Sequence, residues 1–556
     1  MAFIEAKEVK MRALLSNAQE AHRVPLYQRP YAWNRDQWED LFDDVINLSS
    51  NNVHFLGSIV VVPEGEHRLG VNYFQVVDGQ QRLATILIWL SVVRDIALEK
   101  RNTNLANHIT DTFLFARDWQ GGKEIKIPKL QLGKLDNDAF LHVLEGKPRD
   151  YSHLIFECYD FFKKITEMEE IWQRLLDNIS IVHINAFNYF NAFRLFETLN
   201  DRGLELSAAD LIKNFLLMKV SEKKELFEKT VNEWNEMYEK VRDKEPVKFI
   251  RRYILSIYKG KISETRLYEK VRRRLEGKNP EDIFNFTSDL NQKATIYKKI
   301  YETNFSSLKI NKALQELQLV EVAPSYTLQL KVLPYFVENK ISEDDLLQIM
   351  KIIETFHIRW GICGQSTSRL DQIYNEICIG LSEKSPDEYA NYIKKILTKE
   401  VKSNVDDEVF KRNFILRSFK PSEMRTKYIL WKLSEPTGET VINIREIQTE
   451  HIMPRKMSKE WINYLKDKTG KNENEISAIH QENLNRIGNL AIIKGEWNQS
   501  MSNRLFDKKK EDYEKSEFVR TKRTKELINY DKWTFDEINE RSEKLSDIAL
   551  NIWKWE

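Results

Sequence analysis

Short apolar runs and stretches of helical periodicity alternate along the chain, and together they predict a protein that mixes α-helices and β-strands. Apolar residues with helical spacing predict a helix over residues 4–21, a second one directly after the capping residue Asn34, and mostly helices from about 221 to 400. The predicted fold class is therefore a multidomain α+β protein that is predominantly helical. Runs with β-strand character predict strands over Phe55–Val62, Tyr73–Val77, Val441–Ile447 and Leu490–Ile493.

The length of the chain sets the expected number of domains. A chain of 556 residues is long enough for roughly two to four domains. We predict an N-terminal α/β domain over residues 1–220, a helical domain over 221–400 and a C-terminal α+β domain over 401–556. A polar stretch near 382–410 is the candidate linker before the last of them.

Composition and charge describe an ordinary globular protein, with 42% hydrophobic and 31% charged residues. The net charge of +1 gives no global attraction to nucleic acid, so any affinity for DNA must come from local patches. Cys158, Cys363 and Cys378 are far apart, which argues against a zinc site or a disulfide framework. The charged N-terminus, and apolar runs too short to cross a bilayer, predict a cytoplasmic protein without membrane contact.

The most informative motif is Glu450-His451-Ile452-Met453-Pro454, which follows the predicted strand ending at Ile447. A second strand is predicted after Asn489, and a helical pattern follows it. Strand, long loop, strand and helix is the order of a ββα-metal nuclease. Glu450 and Asn498 offer oxygen ligands to one Mg²⁺, which needs only one or two of them from protein, and His451 offers a base for the attacking water. The alternative is a structural histidine at the end of a strand.

These residues resemble the HNH nuclease half of the GmrSD family, which consists of modification-dependent (type IV) restriction enzymes. The resemblance rests on EHIMP at 450–454, GNL at 488–490, Asn498 nine positions after Asn489, and Phe506-Asp507-Lys508-Lys509. Asn498 stands where many HNH enzymes have a final histidine, as in the HNN variant of this family. The resemblance implies an endonuclease that uses Mg²⁺ or Mn²⁺, with His451 and Asn489 as catalytic residues and Glu450 and Asn498 as metal ligands. Within it, we expect Asn489 to position the loop and the histidine.

A second motif, Asp78-Gly79-Gln80-Gln81-Arg82, joins the strand ending at Val77 to a long apolar helix. The free N–H groups at the start of that helix suit a phosphate, Arg82 and Thr85 share one helical face, and Asp78 offers an oxygen to Mg²⁺. The alternative is an ordinary strand-to-helix turn with a surface arginine. DGQQR after an apolar strand resembles the NTPase half of GmrSD proteins, which has a ParB/sulfiredoxin-like fold, and implies nucleotide binding by residues 78–82 and Thr85.

A third motif, FETLNDRGLELSAADLIKNFLL at residues 196–217, is similar to the second signature of the same family. Ser207 opens a helix that places Asp210 and Lys213 on one side. The resemblance implies that Asn200, Arg202, Asp210 and Lys213 form the far wall of a pocket for an NTP, either GTP or ATP. Two capped helices with a solvated polar face are the alternative.

Two further segments are candidates for DNA contact. The proline-rich arm 24–33 has stacking and hydrogen-bonding side chains at Tyr27, Gln28 and Arg29, and we weigh a recognition loop equally against a structural arm. Residues 242–274 hold twelve Lys/Arg and four Asp/Glu, a local charge of +8, which favours a phosphate-backbone track over a solvated helical face. The candidate contacts within this basic segment are Arg251, Arg252, Arg272 and Arg273.

The motifs together predict a nucleotide-hydrolysing, modification-dependent DNA endonuclease. Its expected partners are a nucleotide and double-stranded DNA, with modified phage DNA as the target that the resemblance implies, and a homodimer is an open option. Two alternatives remain: a ParB-like, nucleotide-switched DNA-binding or regulatory protein with a degenerate HNH end, and an RNase or toxin that uses the same nuclease core.

Overall fold

The computed structural model describes residues 4–25, 28–48, 52–65, 70–120, 123–148, 151–166, 171–193, 207–434, 447–494, 503–515 and 522–555. The chain forms two compact units. Unit 1 comprises Met1–Val247 and Glu264–Gln292, and unit 2 comprises Lys248–Ser263 and Lys293–Glu556. Our division into three domains at residues 220 and 400 stays a prediction.

The described strands have the bounds β1 Ile4–Lys10, β2 Glu20–Arg23, β3 His54–Pro63, β4 Asn72–Asp78, β5 Phe115–Gln120, β6 Lys123–Pro128, β7 Leu130–Gln131, β8 Ile179–Ala186, β9 Ile447–His451 and β10 Leu490–Lys494. Six of the strands of unit 1 form a mixed sheet in the order β1-β8-β3-β4-β2-β7, and β5 pairs with β6. The neighbouring pairs β1–β8 and β3–β4 are antiparallel, whereas β3–β8, β2–β4 and β2–β7 are parallel.

Most of the other described residues are helical, which confirms a predominantly helical α+β protein with an N-terminal mixed sheet. The helix bounds are α1 Met11–Leu15, α2 Arg35–Ile46, α3 Gln80–Glu99, α4 Thr103–Ile109, α5 Asn137–Glu145, α6 Leu154–Ile165, α7 Ile171–Asp177, α8 Ala208–Val220, α9 Lys224–Val241, α10 Pro246–Ile257, α11 Leu267–Leu275, α12 Pro280–Glu302, α13 Leu308–Leu319, α14 Tyr326–Val337, α15 Glu343–Ile362, α16 Thr367–Leu381, α17 Tyr389–Asn404, α18 Asp407–Leu416, α19 Met424–Leu433, α20 Lys459–Thr469, α21 Glu473–Asn483, α22 Phe506–Lys515, α23 Lys522–Lys525 and α24 Phe535–Ile552.

The start of the chain is not the helix that its periodicity predicts over residues 4–21. Residues Ile4–Lys10 form strand β1, the short helix α1 follows, and residues Glu20–Arg23 form β2. All seven residues of β1 pair antiparallel with β8, from Ile4 opposite Ala186 to Lys10 opposite Ser180. Pairing with a distant strand therefore overrides the local preference, which is a weak determinant on its own.

Helix α3 lies at the centre of unit 1 and fixes the position of the DGQQR turn. Its side chains Leu83, Leu87, Trp89 and Leu90 are fully buried, in one core with sheet residues such as Val76. A helix that is apolar on all sides is stable only when it is buried. Strand β4 leads directly into α3, and both contribute side chains to this core. The packing of the two elements therefore fixes the position of the turn between them.

Unit 2 contains helices and the antiparallel pair β9–β10. A core that includes Met453, Trp461, Phe506 and Trp533 joins the loop after β9 to the helices that follow β10. This packing holds the end of β9 against α22. None of the described helices is long and apolar enough to cross a membrane.

Candidate functional site

Strands β9 and β10 carry the EHIMP and GNL motifs into contact. They pair antiparallel, with His451 opposite Leu490 and Glu450 opposite Ala491. The predicted strand over Leu490–Ile493 is confirmed, and Ile447 begins β9, while residues 441–446 lie outside the described residues. Glu450 and His451 are thus the last two residues of β9, where the chain leaves the strand.

His451 is held by the side chain of Asn485. Its Nε2 lies 2.9 Å from Asn485 Oδ1, and the backbone oxygen of Asn485 accepts a 2.7 Å hydrogen bond from the Phe419 N–H. Because an amide oxygen only accepts, Nε2 carries the proton and Nδ1 keeps its lone pair. Burial lowers the pKa of His451, and the nearby charge of Lys509 acts in the same direction. The imidazole is therefore neutral near pH 7, as a base must be.

Asn489 is fully buried and ties the loop after β9 to the segment before β10. Its Oδ1 accepts a hydrogen bond from the Met453 N–H at 2.7 Å. Its Nδ2 donates to the carbonyl oxygens of Met453 at 3.0 Å and Leu484 at 2.9 Å. These contacts suit the positioning role that we expected for Asn489, since they use the amide on backbone groups.

Glu450 forms a buried ion pair with Lys509 of α22. The distance from Lys509 Nζ to Glu450 Oε1 is 2.5 Å, and the two side chains are 0% and 4% exposed. The same ammonium donates to the carbonyl oxygens of His451 at 2.8 Å and Ile452 at 3.1 Å. Burial raises the pKa of Glu450, whereas the charge of Lys509 opposes the shift. Lys509 thus holds both the carboxylate and the backbone of the motif.

A cavity of about 530 Å³ opens at these residues. Glu450 lines it, and the second carboxylate oxygen, Oε2, accepts no hydrogen bond from any residue that the structure describes. That free oxygen fits a hard cation such as Mg²⁺. The other predicted ligand, Asn498, lies outside the described residues, among which no group of three or more His, Cys, Asp or Glu is placed to hold a metal. The lining residues are Thr449, Glu450, His451, Pro454, Arg455, Lys456 and Asn503.

Sequence reasoning missed three side chains of this site. Asn485 contacts His451, Lys509 pairs with Glu450, and His480 Nε2 lies 2.9 Å from the Pro454 carbonyl oxygen. The sequence pointed to Lys509, because it is the last residue of the motif 506–509 that resembles the GmrSD family. No sequence pattern pointed to Asn485 or His480, because their hydrogen-bond partners are distant in sequence.

The DGQQR turn of unit 1 requires glycine at its second position. Gly79 precedes α3 with φ +91°, and a Cβ there would lie 2.8 Å from Ile59 Cγ1. Arg82 Nη1 donates to the Ser58 carbonyl oxygen at 2.6 Å and lies 3.9 Å from Asp78 Oδ2. Burial raises the pKa of Asp78, and the charges of Arg82 and Arg29 oppose the shift.

The next residues of the motif hold the proline-rich arm. Gln80 Nε2 donates to the Arg29 carbonyl oxygen at 3.1 Å, and Gln81 Oε1 accepts the Ala32 N–H at 2.8 Å. Thr85 Oγ1 lies 2.7 Å from the Tyr31 hydroxyl. The arm is therefore fixed on the start of α3, as the structural alternative requires. Tyr27 lies outside the described residues.

The arm also brings predicted DNA-contact residues next to predicted nucleotide-binding residues. Gln28 and Arg29 line a cavity of about 370 Å³ together with Asp210 and Lys213 of α8. Ser207 caps α8 as predicted, and its hydroxyl donates to Asp210 Oδ2 at 2.7 Å. Asn200 and Arg202 lie outside the described residues. The full lining is Gln28, Arg29, Pro30, Gly133, Lys134, Leu135, Asp136, Asp210, Lys213, Trp234, Asn235, Tyr238 and Glu239.

The two candidate sites lie in segments of the chain that match known protein domains. Residues 11–217 match the GmrSD restriction endonuclease, N-terminal domain, and residues 404–548 match the GmrSD restriction endonucleases, C-terminal domain. Together the matches cover more than half of the chain. The chain belongs to the GmrSD restriction endonuclease family. No curated protein matched the sequence.

Membership of the GmrSD family makes this protein a nuclease whose substrate is DNA, and suggests that it uses a metal ion. The N-terminal GmrSD match contains the DGQQR turn together with Asp210 and Lys213, and the C-terminal match contains Glu450, His451 and Lys509. Each match therefore contains one of the two candidate sites.

The basic segment 242–274 lies outside both GmrSD matches, and its four candidate arginines differ in their surroundings. Arg251 pairs with Asp371 at 2.6 Å and donates to the Ile262 carbonyl oxygen at 2.6 Å, and Arg252 lies 5.6 Å from the centre of the Tyr326 ring. Arg272 and Arg273 on α11 are exposed, and Arg272 forms a 3.4 Å ion pair with Glu276. DNA contact stays a prediction for all four, and the last two are the accessible ones.

Proposed function

We propose that the protein is a nucleotide-hydrolysing, modification-dependent DNA endonuclease of the HNH, or ββα-metal, type. The observation that carries the nuclease half is His451, oriented by Asn485 and placed beside the carboxylate of Glu450 at one cavity. A neutral imidazole with one free nitrogen, next to an available carboxylate oxygen, is what metal-assisted hydrolysis of a phosphodiester requires.

In this mechanism Nδ1 of His451 accepts a proton from the water that attacks the phosphorus atom. The hydrogen bond from Nε2 to Asn485 keeps the ring in the orientation and tautomer that leave Nδ1 free. Asn489 and Lys509 hold the backbone from His451 to Met453. Arg455 and Lys456, which line the same cavity, offer positive charge to the DNA phosphates.

Glu450 Oε2 and the amide oxygen of Asn498 would hold Mg²⁺ or Mn²⁺. When bound, such an ion stabilises the charge that develops on the leaving oxygen. Lys509 leaves one oxygen of Glu450 for this purpose while keeping the carboxylate fixed through the other. The carboxylate therefore enters the reaction already oriented.

The nucleotide half of the proposal places an NTP at the DGQQR turn and the cavity beside it, on a ParB/sulfiredoxin-like fold. Each carboxylate of the cavity has a partner: Asp136 accepts the Tyr31 N–H, Asp210 accepts the Ser207 hydroxyl, and Glu239 lies 3.6 Å from Arg242. The cations of the cavity have fewer partners than its carboxylates. Lys213 is 4% exposed with Asp210 at 3.5 Å, and neither Arg29 nor Lys134 forms an ion pair with a described residue.

This imbalance supports a polyphosphate ligand. A buried ammonium has three donors and needs partners for them. The half-buried guanidinium of Arg29 and the exposed ammonium of Lys134 add positive charge around the same cavity, which attracts an anion. The helix α3, whose first N–H groups have no side-chain cap, adds the positive end of its dipole at the turn. We assign Arg29 to this pocket, in place of the DNA contact that the sequence predicted.

Cleavage assays test the proposed function as a whole. Purified protein is incubated with Mg²⁺ and either unmodified DNA or DNA carrying different base or backbone modifications, each with and without GTP or ATP. We expect cleavage only of a modified DNA, a response to nucleotide, and no cleavage by the His451→Ala variant. Cleavage of RNA in place of DNA would favour the RNase alternative, and nucleotide-dependent DNA binding without cleavage would favour the ParB-like one.

A further inference from the structure

The cavity that Arg29 and Lys213 line also has an aromatic wall. Trp234 and Tyr238 lie one helical turn apart on α9 and line the cavity together with Leu135. Trp234 is 3% exposed, which gives the wall a rigid base, while Tyr238 is partly exposed. Flat apolar rings beside a group of cations offer surfaces for both parts of a nucleotide, its base and its phosphates.

We propose that this wall is the nucleobase subsite of the nucleotide pocket, with Tyr238 stacking on the base while the phosphates lie at Arg29 and Lys213. The inference rests on the proposed function of unit 1, and it adds residues of α9 to the pocket. That helix follows the GmrSD N-terminal match, which ends at residue 217, so no family motif points to it.

Arg29 links the two ends of the cavity. Its carbonyl oxygen accepts a 3.1 Å hydrogen bond from Gln80 Nε2 of the DGQQR motif, and Arg29 lines the cavity together with Lys213 of α8 and Tyr238 of α9. A phosphate beside Arg29 is therefore within reach of the DGQQR turn, and the rest of the nucleotide extends toward α9. A cavity of about 370 Å³ is within the range of small-molecule sites, roughly 300–1,000 Å³.

Asn235 supplies a polar group next to this wall. It lines the cavity, and its amide has no hydrogen-bond partner among the described residues. An amide carries both donors and an acceptor, so it can pair with the edge of a base that stacks on Tyr238. We therefore assign stacking to Tyr238, which tolerates any base, and discrimination among bases to Asn235.

The test compares binding of ATP, GTP, CTP, UTP and inorganic tripolyphosphate by calorimetry, using the full chain. Tyr238→Ala is expected to weaken binding of each nucleotide by about ten- to a hundredfold and to leave tripolyphosphate binding unchanged, because only the base loses its contact. Tyr238→Phe keeps the ring and is expected to bind like the wild type. Tyr151→Ala is the matched control, since Tyr151 is an exposed tyrosine that lines another cavity of unit 1.

Two further variants complete the design. Lys213→Met is expected to weaken nucleotides and tripolyphosphate alike, and Asn235→Ala to change the ratios of affinity among the four nucleotides. Wild-type affinity of Tyr238→Ala for every nucleotide would overturn the proposal, and so would an equal loss for tripolyphosphate, which marks a structural tyrosine. Wild-type protein that binds tripolyphosphate but no nucleotide would also overturn it. Wild-type protein that binds neither would instead refute the nucleotide half of the proposed function.

Discussion

At the scale of single residues, the candidate nuclease site depends on side chains that hold others in place. Asn485 orients His451, Lys509 anchors Glu450, and Asn489 ties two loops together. Such contacts leave the reacting groups few alternative positions, and a displacement of about 1 Å in an active site can cost roughly a hundredfold in rate. Replacing the base itself and replacing the groups that position it are therefore expected to have different effects on cleavage.

Replacing His451 by alanine is expected to abolish DNA cleavage while nucleotide hydrolysis continues. Loss of a positioned base costs about 10²–10⁴ in rate, and the proposed nucleotide pocket lies among residues of unit 1, whereas His451 belongs to unit 2. Cleavage of plasmid and release of phosphate from NTP are measured on the same preparation. Near wild-type cleavage by the variant would remove His451 from the mechanism.

Replacing Asn485 by leucine is expected to lower kcat by about 10–100-fold with little change in KM, because the ring loses its orientation but the substrate contacts remain. Asn485→Asp keeps an acceptor for Nε2 and is expected to retain more of the activity. Asn483→Leu is the matched control, since the Asn483 amide donates to the Ile479 carbonyl oxygen. A uniform loss in all three variants would mean that Asn485 only stabilises the fold.

Replacing Lys509 by methionine leaves the buried carboxylate of Glu450 without its cation. Breaking a buried ion pair on one side costs about 3–5 kcal/mol in the free energy of unfolding, so the melting temperature is expected to fall. The exposed neighbour Lys508 is the control, and Lys508→Met is expected to change stability by at most about 0.5 kcal/mol. The double variant with Glu450→Gln is expected to recover stability but to remain inactive. An unchanged melting temperature of the single variant would contradict the assigned pair.

At the scale of elements, the proline-rich arm and the helix α11 show how surroundings decide the role of a polar segment. The side chains of Gln80 and Gln81 form hydrogen bonds with the backbone of the arm. These two glutamines of DGQQR therefore make contacts within the protein. On α11, Arg272 and Arg273 remain exposed, whereas Arg251 of α10 is bound to Asp371. Of the four arginines that we predicted to contact DNA, Arg272 and Arg273 are therefore the accessible ones.

Reversing the charge of Arg272 and Arg273 together to glutamate is expected to weaken DNA binding regardless of sequence. The dependence of affinity on salt should also become less steep, by roughly 0.9 per lost phosphate contact on duplex DNA. Fluorescence anisotropy at several salt concentrations measures both. Arg251→Glu serves as the contrast. It is expected mainly to lower the thermal stability, because it removes the ion pair with Asp371. An unchanged salt slope in the double variant would mean that α11 is a solvated face.

At the scale of the whole molecule, each GmrSD match contains one candidate site, and a restriction enzyme has to connect them. A nuclease that shares a compartment with its own DNA must be inactive until the target is bound. The NTPase that we propose for unit 1 offers two states that nucleotide and target bias differently. We therefore predict that nucleotide binding and DNA cleavage are coupled.

Arg82→Ala is expected to remove nucleotide hydrolysis and to change how cleavage responds to nucleotide, although His451 is untouched. Arg82 contacts Ser58 and Asp78 at the DGQQR turn, so its loss alters the turn that we assign to phosphates. Cleavage of modified DNA is followed across an NTP titration. Arg35→Ala is the control, because that exposed arginine of unit 1 pairs with Glu39 on its own helix, α2. Identical responses of Arg82→Ala and wild type would exclude a nucleotide switch at this turn.

The sequence by itself determined the elements whose signals are local. Apolar runs predicted β3, β4 and β10, and the caps at Asn34 and Ser207 predicted where α2 and α8 begin. These signals can be read from sequence because a strand pattern or a cap depends on residues within a few positions of each other. The motifs around Asp78 and His451 were found in the same way, since each is continuous in the chain.

Only the tertiary structure decided which groups meet across long separations. The pairing of β1 with β8, the hydrogen bond from His451 to Asn485 and the ion pair of Glu450 with Lys509 each join residues that no short pattern connects. The same holds for Arg29, which the sequence assigned to DNA and the fold places beside Lys213. Such contacts arise from packing of the whole chain, because burial and pairing energies exceed the small local preferences that a sequence pattern reports.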